Sequence, residues 1–188
     1  MPVNLPNLVT LLRILLIPLI VGIFYMPDAW LSYESRNISA TAVFIVAAIT
    51  DWLDGYLARK LNQMSAFGAF FDPVADKLVV VGALVILLQL NRVDMVVGLI
   101  IIGREIAISA LREWMATLGH SKSVAVAFIG KLKTVLQMVA IPLLLYSDEL
   151  FGFLDTHALG TICIYVAAVL TVVSMLYYLR RALPLLKG

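Results

Sequence analysis

Six long apolar stretches, at residues 5–25, 38–57, 74–90, 95–111, 135–146 and 158–179, run through the chain with only short polar connections between them. A helix needs roughly 20 predominantly apolar residues to cross the hydrocarbon core of a bilayer, and a chain in lipid must satisfy its own backbone hydrogen bonds. All six stretches read as helices. Hydrophobic residues fill 62% of the 188 positions and charged residues 14%, against about 45–50% and 25% in soluble domains. The expected fold is therefore all-α: a polytopic integral membrane protein, a bundle of six transmembrane helices. A single membrane domain over 1–188 leaves no room for an appended soluble one. The fifth stretch is short unless its helix begins near Phe128, which would carry Lys131 and Lys133 into the bundle.

The charges between the stretches sort by side. Alternating spans place Arg59, Lys60, Lys77, Arg112, Lys122, Lys131, Lys133, Arg180, Arg181 and Lys187 at one face, and leave Arg36 and Arg92 among acids at the other. Lys and Arg in short loops favour the cytoplasmic side, so both termini are expected in the cytoplasm, in a multi-pass protein of the cell inner membrane. The first stretch contains Arg13 and Pro18 and lacks a basic leader and a small-residue cleavage site, so it reads as a span and not as a removable signal. The single cysteine, Cys163, excludes an intrachain disulfide and reads as packing. A net charge of +2 with no basic tail gives no sign of nucleic acid as a partner.

The junction of the second and third stretches carries chemistry. Asp51 and Asp54 are three residues apart and Asp72 and Asp76 four, so each pair shares a helix face, and two antiparallel helices bring all four acids together. An acid at the centre of a membrane helix costs about 2.5–3.5 kcal/mol on insertion scales, and such groups face a protein interior or a watery cavity. Mutual repulsion adds to that cost. Divalent cations relieve it, and an all-oxygen donor set suits Mg²⁺ or Mn²⁺; two such metals clamp a phosphoryl group for in-line displacement. The bland alternative is a set of caps and interface charges balanced by Arg59, Lys60 and Lys77. Asp72 followed by Pro73 does fit an N-cap with proline at the first helical position, but that explains one aspartate of four. Gly55, Ala58 and Gly68 remove bulk beside the acids, which suits either a nucleotide pyrophosphate or close helix packing. Arg59 is either a phosphate ligand or a charge anchor.

This stretch, DWLDGYLARKLNQMSAFGAFFDPVADK from residue 51, resembles the CDP-alcohol phosphatidyltransferase family. The pattern is D, two residues, DG, two residues, AR, eight residues, G, three residues, D, three residues, D, and it fits without a mismatch. The resemblance implies a six-helix membrane bundle, usually a homodimer, with the acids in a cytoplasm-facing cavity. It implies a transferase that moves a phosphatidyl group from CDP-diacylglycerol to an alcohol. Asp51, Asp54 and Asp72 would be metal ligands, Asp76 the general base and a fourth ligand, and Gly55, Ala58, Arg59 and Gly68 the lining of the CDP-lipid pocket.

Outside that motif, NLPNLVTLLR from Asn4, GREIAISALREWMA from Gly103 and GKLKTVLQMVAI from Gly130 resemble the branch of the family whose acceptor is glycerol 3-phosphate. That acceptor is a dianion and needs cations. Arg104 and Arg112, two helical turns apart with Ser109 near them, and Lys131 and Lys133 at the head of the next helix are the candidates for its phosphate. Ion pairs of Arg104 with Glu105 and of Arg112 with Glu113 are the structural alternative. Asn7, Thr10 and Arg13 share a helix face; they either touch the donor head group or tie the first helix to the bundle. Other acceptors, such as inositol phosphate, serine or phosphatidylglycerol, use the same chemistry, and a small ion transporter would also bury acids in a membrane bundle.

Overall fold

The computed structural model describes residues 5–60, 66–117 and 128–182. Among them are six helices: α1 Leu5–Phe24, α2 Tyr33–Lys60, α3 Ala66–Gln89, α4 Met95–Thr117, α5 Phe128–Tyr146 and α6 Thr156–Ala182. The α5–α6 connection holds a small antiparallel hairpin, β1 Glu149–Leu150 with β2 Leu154–Asp155, pairing Glu149 with Asp155 and Leu150 with Leu154.

Side chains set the helix starts. Ser32 Oγ accepts the amide of Ser35 at 3.2 Å, Asp94 Oδ1 that of Val96 at 2.8 Å, and Asp155 Oδ1 that of Ala158 at 2.9 Å, each satisfying a first-turn donor of the helix that follows. At the end of α3 the chain turns through Asn91 at φ 55°. The Arg92 amide then reaches the Leu87 carbonyl at 2.9 Å and the Asn91 amide that of Leu88 at 3.1 Å, which is a Schellman closure.

Three expectations from the sequence are corrected here. The helices outrun the apolar stretches: α2 begins at Tyr33, α3 at Ala66, and α4 ends at Thr117. A helix satisfies its backbone internally whatever its side chains, so polarity marks the edge of the apolar slab and not the end of the helix. Asp72 and Pro73 consequently do not start α3; they lie inside it, where Pro73 removes one backbone donor. His157, which the sixth apolar stretch leaves outside in a connecting loop, is in the first turn of α6, while His120, likewise between stretches, lies outside the described residues.

α1 packs on α2 and α3, α5 on α2 and α6, and α4 on α6 and α3. The core between them is aliphatic, with Ile20, Phe44, Leu84, Leu87, Ile101, Ile141 and Leu144 almost fully enclosed. A Cβ added at Gly82 would stand 2.9 Å from Ile17 Cγ2, so α1 and α3 approach closely only because that position has no side chain. Arg92, which charge sorting assigns to a loop, is 7% exposed. Its guanidinium donates to the Leu144 and Leu145 carbonyls at 2.9 and 2.6 Å, to Tyr33 Oη at 2.8 Å and to Asn37 Oδ1 at 2.9 Å. It thereby caps the C-terminal end of α5, where the helix dipole favours a cation, and ties it to α2.

The outer surface stays apolar. Phe128–Tyr146 and Thr156–Arg180 are long and apolar enough to cross a membrane, yet only 39% and 33% of these windows are buried in the protein. A soluble core helix would be enclosed by its neighbours. Exposed Leu99, Val135, Ile162, Val169 and Leu176 form the kind of surface that lipid covers, and the chain is a mostly helical membrane protein.

Candidate active site

Helix pairing brings the acids together around α1. Asp51 lies on α2, and Asp72 and Asp76 lie one turn apart on α3. Thr10 and Arg13, also one turn apart, face them from α1. Thr10 Oγ1 donates to Asp72 Oδ1 at 2.7 Å, while Arg13 Nη1 donates to Asp51 Oδ1 at 3.0 Å and pairs with Asp76 Oδ1. Arg13 is 1% exposed, whereas the carboxylates of Asp51 and Asp76 are 48% and 43% exposed. The cation is thus enclosed and the acids remain open to a cavity. Of the two alternatives for this face of α1, these contacts show the tie to the bundle, which Thr10 and Arg13 make through the acids.

That cavity, of about 190 Å³, is lined by Asp51, Asp76, Lys77, Glu105, Lys133, Thr134 and Gln137, with Ala47, Ala48, Val79, Val80 and Met138 as its apolar part. A water molecule occupies about 30 Å³ of liquid, so the space suits a small polar group or several waters. Gly68 is buried near the start of α3. The side chains of Asn7, Asp54, Ala58 and Arg59, and the surroundings of Gly55, lie outside the described residues, although their backbones belong to α1 and α2.

A second cavity, of about 330 Å³, adjoins the first. Arg104, Ser109, Arg112, Glu113 and Pro73 line it, and Lys77 and Glu105 line both cavities. Arg104 reaches Glu105 Oε1 and Ser174 Oγ at 3.5 Å and stacks over the Tyr178 ring at 5.9 Å; its Nε is buried and without a hydrogen-bond partner among the described residues. Lys133, 1% exposed, pairs with Glu105 and lines the acid cavity, not the one that holds Arg112. Lys131 is exposed and lines neither cavity. Residues two positions apart on a helix differ by about 200° around the axis, so the two lysines face nearly opposite ways.

Two participants are absent from the candidate set read from sequence. Glu105 joins Lys133 to Arg104, and Gln137 lies one turn beyond Lys133 in the buried stripe Gly130, Lys133, Gln137, Ala140, Ile141 and Leu144 of α5. Polar residues at core positions of a helical pattern are the signal that would find them.

Among the described residues no three acids or imidazoles form a ligand group by themselves. The donor chemistry nevertheless fits a hard divalent cation: Asp51 and Asp76 offer carboxylate oxygens to the cavity, no thiol or imidazole is among its lining residues, and Asp54 follows Asp51 by one turn of α2. A positive guanidinium already balances part of the acid charge. The arrangement can hold a phosphate-bearing ligand between acids with their cations on one side and an arginine-lined cavity on the other.

The chain matches the family model described as CDP-alcohol phosphatidyltransferase over residues 3–173. It is 47% identical to a protein of Escherichia coli (strain K12) and 48% identical to one of Salmonella choleraesuis (strain SC-B67), over 97% of this chain and 96% of each relative. A protein of Shigella flexneri serotype 5b (strain 8401) is 47% identical over the same shares. All three are named CDP-diacylglycerol–glycerol-3-phosphate 3-phosphatidyltransferase. The match extends through the acid motif, both cavities and the helices that carry them, and the chain belongs to the CDP-alcohol phosphatidyltransferase family.

Proposed function

We propose that the protein transfers the phosphatidyl group of CDP-diacylglycerol to the primary hydroxyl of sn-glycerol 3-phosphate, giving phosphatidylglycerophosphate and CMP. The observation that carries this reading is the shared wall: an acid cavity and an arginine-lined cavity meet at Lys77 and Glu105. A nucleotide pyrophosphate in the first and a phosphate dianion in the second would place donor and acceptor side by side. The names of relatives at this identity and coverage support the same pair of substrates.

In this reading the helices form six spans with both termini cytoplasmic, and the cavities open to the cytoplasmic face of the inner membrane, in a homodimer. An apolar groove between α2 and α5 supports entry of the donor from the side. It meets the acid cavity at Ala48 and Met138 and continues past Ile45 and Pro142 toward Tyr146. Acyl chains laid in it would leave the head group at Asp51 and Asp76. Asp51, Asp54, Asp72 and Asp76 would hold Mg²⁺ or Mn²⁺, two per site, and Gly55, Ala58, Arg59 and Gly68 would line the CDP pocket. The metals supply charge balance for the pyrophosphate when bound.

Arg104, Ser109 and Arg112 hold the acceptor phosphate, and Glu105 keeps Lys133 beside the acids. Asp76 accepts the proton of the primary hydroxyl as that oxygen forms a bond to the lipid-linked phosphorus. The bond from this phosphorus to the bridging oxygen breaks, and CMP leaves with that oxygen. Arg13 and Thr10 hold the carboxylates in position throughout, which lowers the reorganisation required in the transition state.

The test is CMP release from CDP-diacylglycerol by the purified protein with glycerol 3-phosphate, inositol phosphate, serine or phosphatidylglycerol as acceptor. Glycerol 3-phosphate should support the fastest turnover and chelation of divalent metal should abolish it. Preference for another acceptor would refute the acceptor and leave the acid chemistry standing.

A further inference from the structure

Gln137 has no part in the transfer described above, yet it belongs to the same cavity. Its side chain is 2% exposed, it lines the cavity with Asp51, Asp76 and Lys133, and its Oε1 has no hydrogen-bond partner among the described residues. Its companions one turn in from the acids are apolar: Ala47, Val79, Val80 and Met138. Folded proteins pair nearly all their buried polar atoms, and a side-chain amide oxygen accepts two hydrogen bonds. An unsatisfied acceptor in the wall of a cavity therefore marks the position of a donor that arrives with a ligand.

The position along α5 says which donor. Lys133 and Gln137 are four residues apart, on one face and about 6 Å apart along the helix axis. Lys133 is held by Glu105, which also lines the arginine cavity. A small phosphorylated polyol whose phosphate lies toward the arginines would extend past Lys77 and Glu105 into the cavity that the acids and Gln137 line. Its primary hydroxyl is engaged by Asp76 during the transfer. The hydroxyl that remains to donate is the secondary one.

We propose that Gln137 accepts a hydrogen bond from the secondary hydroxyl of the polyol-phosphate acceptor, and that this contact makes the site discriminate against phosphorylated alcohols without that hydroxyl. The inference rests on the acceptor reading given above. A site built around a hydroxyl loses binding to an analogue that lacks it, because its own polar group is then left unpaired.

The experiment compares kcat/KM for glycerol 3-phosphate and 3-hydroxypropyl phosphate, using the full chain in detergent micelles with CDP-diacylglycerol and Mg²⁺. The wild-type protein should prefer glycerol 3-phosphate, and Gln137→Met, of similar length without the amide, should reduce that preference about tenfold. Gln137→Glu, which keeps an acceptor oxygen, should retain it. An unchanged preference in Gln137→Met, or a rise in its KM for CDP-diacylglycerol in place of the acceptor effect, overturns the assignment. Should Gln137→Met be inactive with both acceptors, Gln137→Glu decides: loss of the preference there overturns the proposal, and retention supports it. Failure of the wild-type protein to use glycerol 3-phosphate at all would instead overturn the acceptor reading.

Discussion

Replacing Arg13 by Met should damage catalysis far more than stability. Removing one partner of a fully buried ion pair commonly costs about 3–5 kcal/mol, because the remaining charge is stranded. Here the stranded charges are not buried: the carboxylates of Asp51 and Asp76 are 48% and 43% exposed, so water can solvate them once the guanidinium is gone. The expected loss of stability is then about 1–2 kcal/mol, from the missing charge-assisted hydrogen bonds and the mutual repulsion of the acids. The effect on chemistry is larger, since Arg13 is shared by Asp51 and Asp76 across two helices and a misplacement of about 1 Å can lower turnover about 100-fold. One positive charge fewer beside three acids should also move the magnesium dependence to lower concentration. Equilibrium unfolding in detergent and CMP release titrated with Mg²⁺ measure the three effects on one preparation. Arg13→Lys should recover stability better than turnover, because an ammonium lacks the planar fork that serves two carboxylates. Wild-type turnover with an unchanged magnesium midpoint in Arg13→Met would refute the reasoning.

Two further substitutions separate the scaffold from the site. Arg92→Leu removes four hydrogen bonds from a buried guanidinium and leaves the last carbonyls of α5 unpaired; it should cost about 3–5 kcal/mol in unfolding measurements while the KM values of the molecules that remain folded stay near wild type. Arg112→Ala, which empties part of the second cavity, should raise the KM for glycerol 3-phosphate about tenfold and leave that for CDP-diacylglycerol unchanged in initial-rate assays.

The acid cluster was legible in the sequence because helical spacing is local: Asp51 with Asp54 and Asp72 with Asp76 share faces whatever the rest of the fold does. What closes the cluster was less so. The contacts of Arg13 span 38 and 63 residues, a pairing that no local pattern encodes, and the sequence left open whether that face of α1 meets the donor or the bundle. The partners of Arg92 were hidden for a related reason. It lies in the connection between α3 and α4, where the sequence puts it, but the turn at Asn91 sends the chain back so that Arg92 can cap α5. Asp72–Pro73 misled because proline is common at a helix start; the helix already runs from Ala66, through a segment whose mixed polarity hides its periodicity. Lys131 and Lys133 were grouped by nearness in sequence, and the helix turns them to different faces.

The central claim is that the acids between α2 and α3 perform phosphatidyl transfer, and Asp76→Asn tests it most directly. The measurement is the yield of CMP and phosphatidylglycerophosphate when the purified wild-type protein and the variant are given CDP-diacylglycerol, glycerol 3-phosphate and Mg²⁺, with helix content verified by circular dichroism. We predict equimolar products from the wild type and a loss of about 10²–10⁴-fold in turnover for the variant at unchanged helicity. Wild-type turnover by Asp76→Asn would contradict the account.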